Sequence, residues 1–178
     1  MYARKKNRLE GHDYSQPGYY YVTICTRNRE ELFGVIEDGN MILNDYGEIA
    51  KDAWLEIPNH SYNVAIDEFT IMPNHVHGID VIVGGAAVGG ADLRPLHDNR
   101  TKMILSTAIH GFKSSTTRKI HTLCNTINPI WQRNYYDHVI RNEKSLYKIR
   151  EYIRKNVSKW IDLAVVEAYN SSIYLNNS

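Results

Sequence analysis

Four side chains of this sequence have the types and spacing to do chemistry: His75, His77, Tyr152 and Asn156. The histidines sit in Ile71-Met72-Pro73-Asn74-His75-Val76-His77-Gly78-Ile79, with apolar runs on both sides. Pro73-Asn74 is a turn signal, because proline fixes φ and asparagine tolerates tight-turn conformations. The stretch therefore predicts strand, tight turn, strand, with the histidines opening the second strand. Alternate residues of a strand share a face, so both imidazoles point the same way. They head a row continued by Ile79, Val81 and Val83, read as core-facing. Held one residue apart on a strand and open to a cleft, they form a rigid pincer for a metal ion. The same pair also suits a hairpin end whose histidines make ordinary hydrogen bonds, since His-x-His is short and common. A metal site needs a third ligand and a reacting group from elsewhere in the chain.

Tyr152 and Asn156 are four apart on a helical pattern and so share a face. Both lie at the margin of the stripe Leu146, Ile149, Ile153, Val157 and Trp160. A helix packed on the histidine face of the sheet would offer the Asn156 amide oxygen to the same metal. It would set the Tyr152 hydroxyl one turn away. Without that packing, Tyr152 is a stripe-margin residue with a wet hydroxyl and Asn156 a solvated polar residue.

The elements that must position these groups are legible in coarse form. Tyr19 to Arg27 is rich in β-branched and aromatic residues after Pro17-Gly18, which predicts a first strand. A connection follows, with a short strand at Leu32 to Ile36. Tyr46, Ile49, Ala50, Ala53, Trp54 and Ile57 have helical spacing, with Asn44 as N-cap and Pro58 as stop. Val64 to Met72 and His75 to Val83 form the hairpin. The segment 84–99 is a flexible glycine-rich loop without a phosphate-binding fingerprint. Lys102 to Leu123 is a second helix, Pro129 to Ile140 a strand or extended segment, and Ser145 to Trp160 the last helix. Strand, helix, strand, strand, helix, strand, helix predicts an α+β, ferredoxin-like antiparallel sheet with helices on one face. The C-terminal helix is an addition to that plan.

At 178 residues, 43% hydrophobic and 23% charged, the chain fits one soluble domain over residues 1–178. Residues 1–16 are a basic arm and 163–178 a tail. No apolar run approaches the ~20 residues of a membrane span, and the N-terminus lacks the apolar core of a secretory signal. Cys25 and Cys124 make no metal-type pair and read as reduced thiols of a cytoplasmic protein. The net charge of +1 hides a division. Glu30 to Asp92 holds twelve acids and one base, whereas Arg100 to Trp160 holds thirteen bases and three acids. A basic half interleaved with Trp131, Tyr135, Tyr136, His138 and Tyr147 suits single-stranded nucleic acid. Solvated helix faces that happen to be basic would give the same count. Lys113, Arg133 and Arg141 are the candidates for holding phosphates, on charge and position.

Ordered blocks across about Tyr19 to Trp160 resemble the HUH-type, single-tyrosine transposases, in particular the REP-associated tyrosine transposases. They are Tyr-Val-Thr-Ile-Cys-Thr-Arg-Asn-Arg at 21–29, Leu-Phe-Gly at 32–34, Met-Pro-Asn-His-Val-His-Gly at 72–78 and Gly-Phe-Lys-Ser at 111–114. Trp-Gln-Arg-Asn-Tyr-Tyr-Asp-His-Val-Ile-Arg-Asn at 131–142 and Glu-Tyr-Ile-Arg-Lys-Asn at 151–156 complete the set. The resemblance implies His75 and His77 as metal ligands, Asn156 as third ligand and Tyr152 as nucleophile. It further implies cleavage and rejoining of single-stranded or hairpin DNA through a 5′-phosphotyrosine, with Mg²⁺ or Mn²⁺. Relatives form homodimers that share active sites, or stay monomeric. They usually carry proline after the asparagine, where this chain has Val157, which implies a longer helix. Two rival readings are an inactive or domesticated binder of structured single-stranded nucleic acid, and a replication-initiator or relaxase enzyme. The latter often carry a third histidine or paired tyrosines, whereas only Tyr152 is in register here.

Overall fold

The computed structural model describes residues 13–14, 16–61, 63–83, 103–125 and 127–160. Residues 1–12 and 15 of the arm at 1–16, the loop at 84–99 and the tail from 163 lie outside them. A four-stranded antiparallel sheet is built from β1 (Gly18–Cys25), β4 (Val64–Met72), β5 (His75–Ile82) and β6 (Tyr136–Ile140), in the order β4-β5-β1-β6. With α1 (Asp45–Leu55) between β1 and β4, and α3 (Ile104–Cys124) between β5 and β6, this is the ferredoxin-like strand order. A separate hairpin joins β2 (Gly34–Glu37) to β3 (Asn40–Leu43).

Local chemistry sets the element ends. Asn44 caps α1, its side chain accepting from Tyr46 N and Gly47 N at 3.0 Å each. Pro58 opens a second short helix, α2 (Ile57–His60), where the sequence predicted only a stop; proline suits a helix's first turn as well as its end. The sequence also predicted one short strand where β2 and β3 stand. Asp38 and Gly39 between them have φ of 48° and 78°, the pairing that a tight two-residue hairpin requires. The last helix, α4 (Glu143–Arg154), starts two residues earlier than predicted because Asn142 caps it, accepting from Ser145 N at 2.8 Å.

The two faces of the sheet carry different loads. Tyr20, Val22 and Ile24 of β1 and Val76 and Ile82 of β5 face α1 and α3, in the main core with Trp54, Phe112 and Trp131. Gly78 also faces this side, and a Cβ there would run into the Trp54 indole. The odd-numbered face is covered by α4: Ile79 and Ile140 pack with Leu146 and Ile153, joined by Tyr19, Tyr21 and Ile149. The His75–His77–Ile79 row is therefore core only as far as Ile79, and Val83 is exposed. Helices accordingly cover both faces, the C-terminal one alone on its side. Arg150 forks onto Asp67, and Arg154 pairs with Glu68, which ties α4 to the bulged part of β4. Two charges of the basic half are thus committed to the acidic half.

Asp80 is the anomaly of the main core. It is fully buried and neither carboxylate oxygen has a partner among the described residues, so burial pushes its pKa up to about 7. A carboxyl raised from its ordinary value of 3.8 is favoured while protonated and loses stability as pH climbs from there to about 7. Asp80→Asn is expected to stabilise the fold at pH 8 by on the order of 4 kcal/mol and to be near-neutral at pH 4. Urea melts at the two pH values check this; equal effects at both would show that the carboxyl is not the cause.

Candidate active site

The turn that carries the histidines is held from below. Thr26, fully buried, donates through N to Asn74 O at 2.9 Å, its Oγ1 lying 2.7 Å from Glu30 O and 2.9 Å from Asn74 O, and Phe33 N donates to Pro73 O at 3.0 Å. Asn74 Nδ2 donates to Arg29 O at 3.2 Å, which fixes the amide so that Oδ1 accepts from His75 Nδ1 at 2.7 Å. The two Nε2 atoms of His75 and His77 then lie 3.0 Å apart. Nitrogens bound at roughly 2.1 Å to one ion and adjacent in its shell have about this separation.

Both rings are 5% exposed, so they do not face an open cleft as the sequence suggested. What covers them is the end of α4 and the helical stretch that follows it. The Tyr152 ring sits edge-on to His77 at 5.4 Å, and the Trp160 ring is 5.6 Å from His75. Burial, then the nearby cations, lowers His75 to a pKa of about 4 and His77 to about 3. Arg29 contributes to both shifts. The imidazoles are neutral at physiological pH, the form a metal needs.

Tyr152 itself is 38% exposed, with Lys159 Nζ 5.1 Å from its ring centroid. Its other neighbour is Tyr21, at 6.3 Å and edge-on. Tyr21 is the residue the sequence reading missed. Its hydroxyl lies 2.7 Å from His77 Nδ1, and Thr23 Oγ1 lies 2.9 Å from the same nitrogen and donates to Tyr21 at 3.1 Å. Burial pushes the Tyr21 phenol above its ordinary range; the Thr23 hydroxyl opposes this, and a hydrogen-bond interaction with Tyr152 adds to it. The available signal was alternation on β1, which puts Tyr21 and Thr23 on the face of the histidines once Thr23 pairs with His77.

Asn156 is buried and lies between Tyr152 and Trp160 in the chain. The absence of proline at 157 does not give one long helix: α4 ends at Arg154, Lys155 turns, and 156–160 form a further helical stretch. Among the described residues, no group of three or more His, Cys, Asp and Glu could hold a metal. A third ligand drawn from the described residues would be of another type, and the Asn156 amide oxygen is one.

The basic candidates lie elsewhere. Lys113 and Arg133 line a groove of about 1330 Å³ between α3 and 129–135, with His110, Arg118, His121 and Trp131, and no acidic side chain lines it. The Lys113 ammonium donates to Gln132 O at 2.5 Å and Arg133 O at 3.2 Å, so it braces the loop that carries Arg133. Burial accordingly lowers its pKa. Arg141 is exposed at the end of β6. A second missed residue is Arg29, held with Asn28 in the left-handed region at φ of 60° and 56°, beside the histidine pair.

No helix among the described residues is long and apolar enough to cross a membrane. No protein-family model matches the chain. An uncharacterised Haemophilus influenzae protein is 39% identical over 167 residues, 90% of this chain and 91% of its own length. A second protein of that organism, described as "Putative REP-associated tyrosine transposase", is 24% identical over 171 residues, 91% of this chain and 82% of its own. Among solved structures, a REP-associated tyrosine transposase bound to a REP hairpin shares the fold. The TM-score is 0.56 at 20% identity, over 85% of this chain and 74% of the other. The sheet order, the His75–His77 turn and these relatives together make the chain similar to the REP-associated tyrosine transposases, in fold to the solved one and in sequence at 24% identity to the second Haemophilus influenzae protein.

Proposed function

We propose that the protein is a metal-dependent, single-tyrosine enzyme that cleaves and rejoins single-stranded DNA at hairpin repeats. The observation that supports this most is the placement of Tyr152 against His77 by α4, which brings together groups 75 residues apart in the chain. In this reading the Tyr152 oxygen attacks a phosphodiester phosphorus. The phenol gives up its proton as the O–P bond forms and the P–O3′ bond breaks, and the departing 3′ oxygen takes one up, leaving a 5′-phosphotyrosine and a 3′-hydroxyl. Attack by a 3′-hydroxyl on the phosphotyrosine reverses the step and rejoins DNA without an external energy source.

His75, His77 and Asn156 would hold a divalent ion, which polarises the phosphate and stabilises the leaving oxygen when bound. Two imidazoles suit Mn²⁺ somewhat better than Mg²⁺. Lys159 sets positive charge beside Tyr152 and Arg29 sets it near the histidine pair, where a phosphate would arrive. The groove lined by Lys113 and Arg133, with Arg141, would carry further phosphates and bases. The chemistry is tested with a labelled hairpin oligonucleotide, Mn²⁺ and a denaturing gel. A covalent protein–DNA band is expected; hairpin binding without any such band would favour the inactive binder instead.

Binding should weaken steeply with salt, because counterions leave the phosphates as the protein binds. Arg133→Gln is expected to flatten the slope of log affinity against log salt by roughly one phosphate's worth, about 0.7 to 0.9. Salt titrations of hairpin binding for both proteins check this. An unchanged slope in Arg133→Gln would remove that side chain from the interface.

A further inference from the structure

The hydroxyls of Thr23 and Tyr21 form a chain that begins at His77, and the Tyr152 ring stands edge-on beside it. Donor and acceptor counting shows what that chain can do. Asn74 Oδ1 only accepts, so the His75 proton is on Nδ1 and its Nε2 carries a lone pair. With the two Nε2 atoms 3.0 Å apart and hydrogen-bonded, His77 must then be the donor through Nε2–H. Its Nδ1 is left to accept from a hydroxyl. A ligand held by both Nε2 atoms needs the other His77 tautomer, with the proton on Nδ1.

In that tautomer the Tyr21 oxygen, 2.7 Å from His77 Nδ1, already accepts from Thr23, which leaves Thr23 Oγ1, 2.9 Å away, as the acceptor for Nδ1–H. Thr23 Oγ1–H donates to the Tyr21 hydroxyl at 3.1 Å. The Tyr21 proton, no longer needed at His77, is free for the next oxygen, that of Tyr152, whose ring stands edge-on to Tyr21. Each hydroxyl gives one hydrogen bond and takes one, so the direction of the whole chain follows from the His77 tautomer.

We propose that Thr23 and Tyr21 are positioning residues that couple the two halves of the site. Thr23 holds the His77 proton on Nδ1 and so frees Nε2 for a metal; Tyr21 then directs its hydroxyl proton at the Tyr152 oxygen. This rests on the roles given to His75, His77 and Tyr152 above. It makes the metal-binding form of His77 the form in which the Tyr152 oxygen is held by a donor.

The two residues should fail differently. In the full chain, Thr23→Val is expected to weaken Mn²⁺ binding, read from the electron paramagnetic resonance of free Mn²⁺, by about 10-fold or more, with Thr23→Ser restoring it. Tyr21→Phe keeps the ring stacked on His77, at 5.5 Å, and leaves Thr23 as acceptor, so Mn²⁺ affinity should stay within about 3-fold. Its rate of adduct formation with a hairpin oligonucleotide should fall about 10-fold or more at unchanged oligonucleotide affinity. Wild-type adduct rates in Tyr21→Phe, or Mn²⁺ affinity undiminished in Thr23→Val, would overturn the proposal. His75→Ala and Tyr152→Phe separate this from failure of the underlying reading: if those two still form the adduct, the site assignment falls and the coupling with it. If they abolish it while Tyr21→Phe does not, only the coupling falls.

Discussion

Tyr152→Phe should bind a hairpin oligonucleotide as the wild type does and form no covalent adduct, a loss of at least about 10³-fold in rate. The substitution removes one oxygen and keeps the ring, so its edge contacts with His77 and Tyr21 remain. The hydroxyl is at a half-exposed position, so stability should change by less than about 1 kcal/mol. If Tyr152 only packed over His77, the same variant would leave cleavage intact. Tyr147→Phe is the control: that side chain lies on α4 but is 60% exposed and has no ring contact with the histidines. A labelled oligonucleotide on a denaturing gel distinguishes these outcomes. An adduct formed at wild-type rate by Tyr152→Phe, or lost in Tyr147→Phe alone, would refute the assignment of the nucleophile.

The parts of the site that follow from short-range periodicity were legible in the sequence. The Pro73-Asn74 turn fixes the register Met72↔His75, and alternation then puts both imidazoles on one face. The four-residue spacing on α4 was enough to bring Tyr152 to that face once α4 packed there. What sequence could not give was which face held the larger core. β5 is apolar on both sides, with Val76 and Ile82 on one and Ile79 on the other, so the pattern alone cannot say which set meets α1 and α3. The burial of the histidines followed from the same missing piece, because their cover comes from 152–160 rather than from β5 neighbours. Tyr21 and Thr23 were hidden for a related reason. They read as ordinary strand residues until the pairing Thr23↔His77 sets them beside an imidazole nitrogen. The β2–β3 hairpin, by contrast, had a visible signal in Asp38-Gly39 between Val35-Ile36 and Met41-Ile42.

The charge division was also only half legible. Composition shows a basic C-terminal half, but a count cannot say which cations are spent internally. Arg150 and Arg154 pair with β4 carboxylates, and Lys113 is bound to two carbonyls, so the free positive surface is narrower than the count. What remains includes the α3 groove, Lys159 beside Tyr152 and Arg29 near the histidine pair. These pairings have a second consequence, for they join α4 to β4 and so help to hold Tyr152 over the histidines.

Removing either histidine should abolish two things at once: adduct formation and the stabilisation conferred by Mn²⁺. A ligand that binds only the folded chain raises its stability by about 2.7 kcal/mol at a concentration 100-fold above its dissociation constant. For the wild type this predicts a higher urea midpoint in Mn²⁺ than in chelator. Neither His75→Ala nor His77→Ala should show it, since one imidazole cannot replace a pair whose Nε2 atoms converge at 3.0 Å. Because both rings are buried under Tyr152 and Trp160, each variant should also lose about 1–3 kcal/mol in chelator through the space left behind. The response to Mn²⁺, and not that loss, separates the metal from packing. If the histidines served only to fill the space beneath α4, the variants would be less stable, yet wild type and variants would respond to Mn²⁺ alike. Urea melts of the three proteins, each with chelator and with saturating Mn²⁺, decide the matter. An Mn²⁺-induced shift surviving in either variant would place the ion elsewhere, and cleavage surviving with it would end the role of this pair in the chemistry.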